Sequence, residues 1–512
     1  MMLASLNRHC FTVIILIPFL VLGSISLFNP ALSFTITGQN EARYARGQLP
    51  NGDDYNYFEN YLEINANLDK LRFYIRQSYL LPSEFDGRWQ TDLNVFNKRY
   101  IEYSQDEFLI RGGDFYRNWG RGLLFGTVEY TDLNFDTGLQ GVLIESSIEN
   151  FEGALFRGVE TDTGKHIQEI GEGVRLSYRF PHNIRLGAAY CLLDVVDRHP
   201  RVNRYGMEIE TEFGPVSLFS AYTSDKLDTD PTQYNHGFYG AASMYGSGWG
   251  ALFDYKDYRL LTHGGKLGRT PLQYPPTALP EVTMYLLDHH PRQMHFGDEV
   301  GWQIEFTYNY EYWDVSLNVN QSSQHDGNSI IPKQKQELSP YQGYFIHVER
   351  DDFSSKRFVL QGGFHEDIEF IQTAAGGFSP WWFKRTGLGV IYEHQLTDEY
   401  SLTSDVQIMK VEDKRVDDSF IDEYLSLSLS HSPDYSITAS FEFSGDENES
   451  GGMSLDGSTT YWPSGELTVN FLERHQLRLF IGHERGGLRC SGGVCRKVNP
   501  FKGIKFTLNS QI

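Results

Sequence analysis

Residues 425–443 carry the sequence LSLSLSHSPDYSITASFEF, in which apolar and polar side chains alternate on both sides of a short Ser-Pro-Asp segment. Leu425, Leu427 and Leu429 are separated by serines, and the alternation resumes at Tyr435. Successive side chains of a β-strand point to opposite faces of the sheet, so this period predicts two antiparallel strands, each with one apolar and one polar face.

The same alternation extends over most of the chain. It recurs at residues 174–180, 184–192, 302–310 and 467–481, and no convincing amphipathic helix follows the first thirty-odd residues. Many alternating segments run to about ten residues, which a tilted strand needs to cross a bilayer, whereas strands of globular proteins more often have about five or six. The sequence therefore predicts an all-β chain of antiparallel strands long enough to span a membrane.

The connections between these segments alternate between short and long. Residues 430–435 and 472–476 are short connections, whereas residues 445–460 and 261–297 are long ones. Short periplasmic turns and long extracellular loops are typical of outer-membrane barrels, and a β-sandwich has no reason to keep this order. We therefore expect a single closed transmembrane β-barrel over residues 34–512.

The strand count predicts about 24 strands, with a range of 22–26. Nineteen segments follow Gly138 and six precede it, including residues 121–130, but single-chain bacterial barrels have an even number of strands. The long connection at residues 81–93 also falls on the side expected for short turns. One segment before Gly138 is therefore not a barrel strand.

The N-terminal segment and the composition predict export to the bacterial outer membrane. Arg8 is the one charged residue in residues 1–33, residues 11–28 are apolar, and Ala31-Leu32-Ser33 fits a cleavage site. This is the layout of a cleaved signal peptide, and a retained membrane anchor is the alternative. Lys and Arg total 44 against 67 Asp and Glu, a net charge of −23, which disfavours a nucleic-acid partner. The 14% aromatic content excludes a disordered chain.

Cys490 and Cys495 flank Gly492-Gly493, a dipeptide that suits a two-residue hairpin turn. Such a turn places the two cysteines opposite each other, and an exported chain meets oxidising conditions, so we predict a disulfide. A metal-binding cysteine pair is the alternative, although further ligands are lacking nearby.

Two other residue sets are candidates for lumen and membrane functions. Arg111, Arg117 and Arg121 lie among glycines, which favours a tight hairpin held by Arg–Asp pairs, with anion guidance in the lumen as the alternative. Aromatic residues near strand ends predict interfacial girdles, and Trp381-Trp382 as a sugar- or peptide-stacking platform is the alternative. The girdle candidates are Tyr310, Tyr312, Trp313, Trp381, Trp382 and Tyr461.

We expect neither a metal or other cofactor nor a catalytic site. The densest set of possible metal ligands lies within residues 288–299, but its spacing matches no compact motif. Its weak candidates are His289, His290, His295 and Asp298. No nucleophile elbow, zincin pair, phosphate loop or dinucleotide fingerprint is found, so a catalytic residue cannot be assigned. An outer-membrane protease or phospholipase stays a minor alternative.

Residues 501–512 resemble the C-terminal strand that outer-membrane proteins present to their insertion machinery, with Ile512 in place of the usual Phe. Residues 38–44, 113–122, 274–277 and 488–497 together resemble an uncharacterised family of large outer-membrane barrels of the Bacteroidota. The resemblance implies location and architecture, with lipid and the insertion machinery as partners, and no catalytic residue.

The leading functional hypothesis is a channel or transport-type barrel for solutes or polymers. Such a wide barrel would leak if its lumen were empty, so we expect residues 261–297, and also residues 321–342, to fold inward or to be capped by a partner. A second hypothesis is a surface-assembly or secretion component that uses the barrel as an anchor and binds a periplasmic or surface partner. A third is a secreted soluble β-rich adhesin.

Overall fold

Twenty-four antiparallel strands form the barrel in the computed structural model. The structure describes residues 34–81, 83–84, 93–133, 135–161, 167–195, 201–228, 234–262, 270–280, 282–352, 355–372, 378–414, 417–447, 449, 451–454, 459–491 and 494–511, so the predicted signal peptide lies outside the described residues. The barrel strands are β1 Phe34–Gln48, β2 Asp54–Leu68, β3 Leu71–Leu80, β4 Leu93–Gln105, β5 Phe108–Phe115, β6 Leu139–Ile148, β7 Phe151–Thr161, β8 Ile167–Phe180, β9 Ile184–Val195, β10 Arg201–Phe213, β11 Val216–Leu227, β12 Tyr234–Gly246, β13 Trp249–Arg259, β14 Glu299–Tyr310, β15 Trp313–Ser323, β16 Tyr341–Asp351, β17 Lys356–Gln372, β18 Phe378–Gln395, β19 Tyr400–Asp413, β20 Asp418–His431, β21 Tyr435–Ser444, β22 Thr460–Phe471, β23 His475–Glu484 and β24 Phe501–Gln511.

The barrel closes between its first and last strands. β1 pairs with β2 on one side and with β24 on the other, in a register that sets Tyr44 opposite Phe506 and Gly47 opposite Gly503. Each strand therefore has two hydrogen-bonded neighbours and the sheet has no free edge, as a bilayer requires. This confirms the closed antiparallel barrel. A soluble β-rich adhesin would need two stacked sheets, whereas these strands form one continuous sheet.

The strand count is confirmed at 24, and the misassigned segment is residues 121–130. Five strands precede residue 138 and nineteen follow it. Gly120, Arg121 and Gly122 all have positive φ and reverse the chain, so the residues after them cannot continue a transmembrane strand. Once this segment is removed from the wall, the long connection at residues 81–92 falls on the same side as the other long loops.

The two faces of each strand follow the alternation of the sequence. On β20 and β21, Leu425, Leu427 and Ile437 expose about half of their surface on the outer face, whereas Ser426 and Glu442 are buried on the lumen side. Exposed apolar side chains in a row are expected where lipid, rather than water, surrounds the barrel.

Aromatic side chains collect on the outer face near the short turns. The rings of Tyr308 and Tyr310 stack with centroids 6.4 Å apart, and Trp313 lies opposite Tyr310 on the next strand. Farther round, His431 stacks on Tyr435 with centroids 5.1 Å apart. Rings of this kind prefer the membrane interface, so their placement agrees with the girdle predicted at this end, which stays a prediction.

The connections hold the remaining secondary structure. The short strands are Asn118–Trp119, Phe125–Gly126, Glu129–Tyr130, Phe135–Asp136, Met453–Ser454, Gly487–Ser491 and Val494–Val498, the 3₁₀ turns are Gly120–Gly122, Thr131–Leu133, Pro181–Asn183 and Gln336–Leu338, and helix α1 is Tyr285–Asp288. Among the described residues, no helix is long and apolar enough to cross a membrane.

Candidate functional site in the barrel lumen

The longest connection, residues 260–298, enters the lumen, and we call it the strap. It leaves β13 and returns to β14, which pair with each other, and the Leu260 amide donates to the Phe296 carbonyl at 3.2 Å. Between these ends, the described residues 270–280 and 282–295 lie in the lumen. The prediction that residues 261–297 fold inward therefore agrees with the path of the described part of the strap.

The first wall contact of the strap is made by β10 and β13, whose side chains donate to its backbone carbonyls. Arg204 is held by two hydrogen bonds to Asp225, at 2.8 and 2.9 Å, and donates to the Pro271 carbonyl at 2.9 Å. The Tyr258 hydroxyl donates to the Pro276 carbonyl at 2.8 Å. These donors satisfy carbonyls that have no strand partner, so the strap is held in one register.

A fully buried ion pair supports the same contact. The Lys256 ammonium lies 3.0 Å from the Glu299 carboxylate, and both side chains have no exposed surface. Lys256 also donates to the Thr277 carbonyl of the strap, and the His295 amide donates to Glu299 at 2.7 Å. Because the pair is completely desolvated, removing one partner leaves the other charge buried without its closest counter-ion.

The second wall contact is apolar and lies on β17–β20. Met284, Leu286 and Leu287 pack against Phe383 and Met409 in a buried cluster. At this contact the Leu286 amide also donates to the Gln407 side chain at 3.1 Å, and the Tyr285 ring stacks on Tyr424 with centroids 4.3 Å apart.

Two wall glycines make room for this contact. A Cβ at Gly387 would lie 2.6 Å from the Met284 methyl group, and a Cβ at Gly363 would overlap the Leu287 side chain. Since β10 and β20 are ten strands apart in a ring of twenty-four, the strap bridges nearly opposite walls.

A second connection, residues 116–138, also enters the lumen, and we call it the inner loop. Trp119 and Phe125 pack on Phe156 of β7, with ring centroids 5.2 and 4.3 Å away, and Leu124 covers Gly206 of β10. These side chains belong to a large buried apolar cluster that includes lumen-facing residues of the wall.

The inner loop and the strap form one unit. The Gly126 amide donates to the Leu272 carbonyl and the Tyr274 amide donates to the Gly122 carbonyl, both at 2.9 Å. The Gln273 side chain donates to the Leu123 carbonyl at 2.6 Å. The two segments together constitute what we call the plug.

The second inward prediction, for residues 321–342, agrees with only part of this connection. Residues 324–340, the rim loop, lie over the long-loop rim of the barrel. The hydroxyl of the outward-facing Tyr255 donates to the Ile330 carbonyl at 2.8 Å, and Arg259 donates to the Gly327 carbonyl at 2.9 Å. These contacts are on the outer face of β13, whereas the buried Arg292 of the strap donates to the Ser339 carbonyl at 2.8 Å. The loop therefore covers the rim and also contacts the strap.

His325 fastens the rim loop to both the wall and the plug. Its Nδ1 lies 2.6 Å from Asp298 at the end of the strap, and its Nε2 lies 3.1 Å from Asp257 of β13. Burial lowers the pKa of His325, but the hydrogen bonds to Asp257 and Asp298 outweigh it, so the pKa is raised above its ordinary value. When it is protonated, the imidazole donates a hydrogen bond to each of the two carboxylates.

The weak metal candidates are distributed along the strap. His289 faces Glu442 of β21 at 3.7 Å, whereas Asp298 contacts His325 at the opposite end of the crossing. No group of three possible ligands meets among the described residues.

The three candidate arginines differ in their partners. Arg111 Nε donates to Glu102 at 2.8 Å, and Arg117 forms two hydrogen bonds to Glu145 at 2.8 and 2.6 Å. Arg121 forms no ion pair with any described residue, and its guanidinium lies over the Phe219 ring at 4.2 Å. Arg–Glu pairs therefore occupy the first two, whereas Arg121 also interacts with Tyr239 and with the buried carboxylate of Asp254. Anion guidance stays a prediction.

The aromatic candidates divide between the two faces of the wall. Tyr310, Tyr312 and Trp313 are exposed near the short turns. Trp381 packs on the apolar cluster of the strap, so it is a lumen residue and not part of a girdle, whereas the strand alternation sets Trp382 on the outer face. Tyr461 stacks on Phe443 with centroids 6.2 Å apart.

The cysteine hairpin has the backbone register expected for it. Gly487–Ser491 pairs with Val494–Val498, and Cys490 is directly opposite Cys495. The bond between the two sulfur atoms stays a prediction. Cys191, a lumen-facing residue of β9, is a buried free thiol.

The fold and the filled lumen define an outer-membrane β-barrel with an internal plug. Residues 195–512 match the model of a family of unknown function (DUF6029), so the chain belongs to that family. The search of curated proteins found no match.

Solved structures with a similar fold are outer-membrane barrels at low sequence identity. One is a chain of the E. coli P pilus tip assembly intermediate PapC-PapD-PapK-PapG, with 10% identity, a TM-score of 0.50, and coverage of 93% of this chain and 60% of that one. Others are the P pilus usher (PapC) translocation pore, with 10% identity, a TM-score of 0.49 and coverage of 93% and 99%, and the copper transporter OprC, with 9%, 0.45, and 94% and 81%. These similarities concern the fold alone.

Lys256→Met is expected to destabilise the protein by about 3–5 kcal/mol, because it leaves Glu299 charged and buried without its partner. The double variant Lys256→Met/Glu299→Gln should recover most of this loss. Denaturant unfolding in lipid vesicles measures both. A single variant within about 1 kcal/mol of the wild type contradicts a fully desolvated pair.

The contact that His325 of the rim loop makes with Asp257 and Asp298 is expected to weaken as pH rises. The pKa of His325 is raised in the folded state, so its stabilisation is present at acidic pH and is lost as pH rises through that elevated pKa. Trypsin should therefore cleave after Lys333 and Lys335 faster at pH 9 than at pH 7, relative to a His325→Gln variant digested in parallel. An unchanged ratio of rates between the two pH values contradicts the bridge.

Proposed function

We propose that this protein is a gated outer-membrane channel in which the strap closes the lumen and moves to let a solute or polymer pass. The observation that supports it is the strap itself, which crosses between nearly opposite walls and is held by side chains of both. We propose passage, rather than catalysis, as the role of the lumen.

The two wall contacts have different strengths in this proposal. The contact at β10 and β13 uses buried charges and fixed hydrogen bonds, so it resists displacement. The contact at β17–β20 is mostly apolar side chains against glycine-lined wall, which can separate without leaving a charge unpaired. Opening should therefore begin at β17–β20, with the β10–β13 end as the hinge.

The wall between the two contacts of the strap is suited to a hydrated pathway. On β15, Asn318, Asn320 and Ser322 face the lumen and are buried. Neutral polar side chains gain hydrogen bonds to water when the segment that covers them leaves. A polar wall at this place therefore lowers the free energy of the open, hydrated state relative to an apolar wall.

A surface-assembly or secretion component is the second proposal, in which the barrel anchors a partner protein. The rim loop favours it, because Ile330 and Ile331 leave about two thirds of their surface exposed at the long-loop end. This proposal predicts a partner that co-purifies and little conductance even after the strap is loosened.

Gly363→Leu is expected to raise the conductance of the protein in planar lipid bilayers. The new side chain occupies the space of Leu287 and displaces the strap from β17, so openings should become more frequent or larger. Gly465→Leu is the matched control. Its Cβ meets no atom closer than 3.8 Å and its neighbour Ile481 is exposed on the outer face, so conductance should not change.

Both variants are first tested for barrel formation by their resistance to denaturation in detergent. Folded Gly363→Leu protein with the conductance of the wild type would contradict gating at this contact. A strap that stays in place can be recognised by unchanged protease resistance of the Met284–Leu287 region.

A further inference from the structure

We propose that the short-turn rim of the barrel binds an extended segment of a periplasmic protein, which adds as a β-strand to the edge of β1 at residues 34–37. β1 pairs with β2 from Phe34 onward, whereas its last described pair with β24 joins Gln39 to Gln511. The residue after Gln511 would face Gly38, so residues 34–37 have no described neighbour on that side. Strand addition to such an edge is a recurrent mode of peptide recognition.

The overhang of β1 is specific to its junction with β24. At the neighbouring short turns the two strands pair up to the turn, since His431 pairs with Tyr435 and Phe471 pairs with His475. The four residues 34–37 span about 13 Å at a rise of roughly 3.3 Å per residue. The edge is therefore long enough for a short segment of extended backbone.

The overhang lies outside the bilayer. The part of β1 that pairs with β24 comprises Gln39–Gln48, and about 9–11 residues of a tilted strand cross the hydrocarbon. Residues 34–37 continue beyond this part on the short-turn side, which faces the periplasm in barrels of this type. Within the bilayer the sheet is therefore closed, and the edge of β1 in the periplasm is accessible to a partner.

The backbone of Phe34 and Ile36 presents its hydrogen-bonding groups to the open side. The Gln511 amide donates to the Arg474 carbonyl at 2.9 Å, so the groups of Gln511 point to β23 and those of the residue before it point to β1, opposite Asn40. These directions alternate along an antiparallel strand. The N–H and C=O groups of Asn40, and by the same alternation those of Ile36 and Phe34, therefore point away from β2.

A cavity of about 820 Å³ borders the same edge. It lies between the part of β1 next to the overhang, the end of β24 and the turns before β21 and β23. This volume is within the range of small-molecule sites, roughly 300–1,000 Å³. Its lining is rich in side-chain amides, which belong to Gln39, Asn470, Gln476, Asn509 and Gln511. The cavity therefore has room and hydrogen-bonding groups for the side chains of a bound segment.

The charged side chains of the cavity favour neither sign of charge in the segment. Each carboxylate has a basic neighbour: Glu41 accepts from Arg43 at 2.6 Å, Glu63 accepts from Arg76 at 2.7 Å, Asp434 lies 3.3 Å from His431, and Glu473 precedes Arg474. Amide groups, in contrast, bind uncharged polar side chains as both donors and acceptors.

The two faces of the edge predict the pattern of the segment. Phe34 and Ile36 lie on the outer face, opposite Leu68 and Ala66 of β2, and the threonines between and after them lie on the lumen face. Cross-strand neighbours on one face of a sheet pack best when they are alike in polarity. The segment should therefore alternate apolar residues with uncharged polar ones, whose side chains point to the cavity.

A second copy of this chain does not fit the edge. Pairing through the same edge of two identical strands requires that they run in opposite directions. Two barrels inserted in one membrane have their β1 strands in the same direction, because both have their short turns on the periplasmic side. A segment of another protein is not limited in this way.

The test measures binding of the fluorescently labelled peptide Ser-Val-Thr-Val-Asn-Val to the full-length protein in detergent by fluorescence anisotropy. We expect saturable binding of this peptide. The same peptide with N-methyl groups on its three valines should bind at least tenfold more weakly, because the valines face Phe34 and Ile36 and their amides are the donors to β1.

Ile36→Pro is the matching change in the protein. It removes the Ile36 amide, which points away from β2, so the pairing of β1 with β2 is kept, as is usual for proline on an edge. Peptide binding should weaken by about tenfold or more. Ile36→Val keeps the amide and is the control with unchanged affinity. The N-methylated peptide tests the same hydrogen bonds if Ile36→Pro does not fold.

Hydrogen exchange measured by NMR identifies the occupant of the edge. In the protein alone, the Ile36 amide should exchange much faster than those of Thr35 and Thr37, which point to β2, and the peptide should slow it at least tenfold. A slowly exchanging Ile36 amide in the protein alone would mean that this chain itself covers the edge, which overturns the proposal.

Three other results would also overturn strand addition. They are equal binding of the two peptides, absence of binding of the unmethylated peptide, and unchanged affinity of folded Ile36→Pro. The proposal does not rest on the channel function, and no readout involves conductance. Its failure therefore leaves the gated channel standing, and a barrel that never conducts leaves the strand-binding edge standing.

Discussion

Backbone pairing in lipid is the constraint on which the rest of this structure depends. A strand edge inside a bilayer leaves N–H and C=O groups without partners, at a cost of several kcal/mol for each group, so the sheet must close on itself. β24 closes it by pairing with β1 and β23. Closing twenty-four strands encloses a lumen too wide for wall side chains alone to fill, and the strap and inner loop occupy it.

The plug combines two kinds of contact with the wall. Apolar side chains of the inner loop pack on lumen-facing apolar residues such as Phe156, and the strap adds Leu272 to the same cluster. Buried pairs such as Arg204–Asp225 position the strap rather than bury apolar surface, because they hold its backbone carbonyls in one register. The plug is thus held by buried hydrogen bonds, ion pairs and apolar contacts on the side of β5–β13, and mainly by apolar contacts on the side of β17–β20. A strap that hinges at one end requires this asymmetry.

Much of the wall could be predicted from the sequence, because the alternation of apolar and polar side chains indicates which face of each strand contacts lipid. The error at residues 121–130 arose because Leu123, Phe125 and Val128 also suit a strand, and left-handed backbone at Arg121 is not visible in a residue pattern. Trp381 and Trp382 are neighbours in a strand and cannot share a face, so one girdle assignment had to fail. The buried partners of the strap were missed because Arg204 and Lys256 look like any lumen residue until the strap covers them.

Conductance after replacement of the strap tests this account most directly. The strap begins and ends on paired strands, with Leu260 bonded to Phe296, so a short Gly-Ser linker can replace residues 263–293 without stretching the wall. The account predicts that this folded barrel forms large, steady pores in planar bilayers, whereas the intact chain is mostly closed. The same conductance in both proteins, with the barrel shown to be folded, would mean that the strap does not close the lumen.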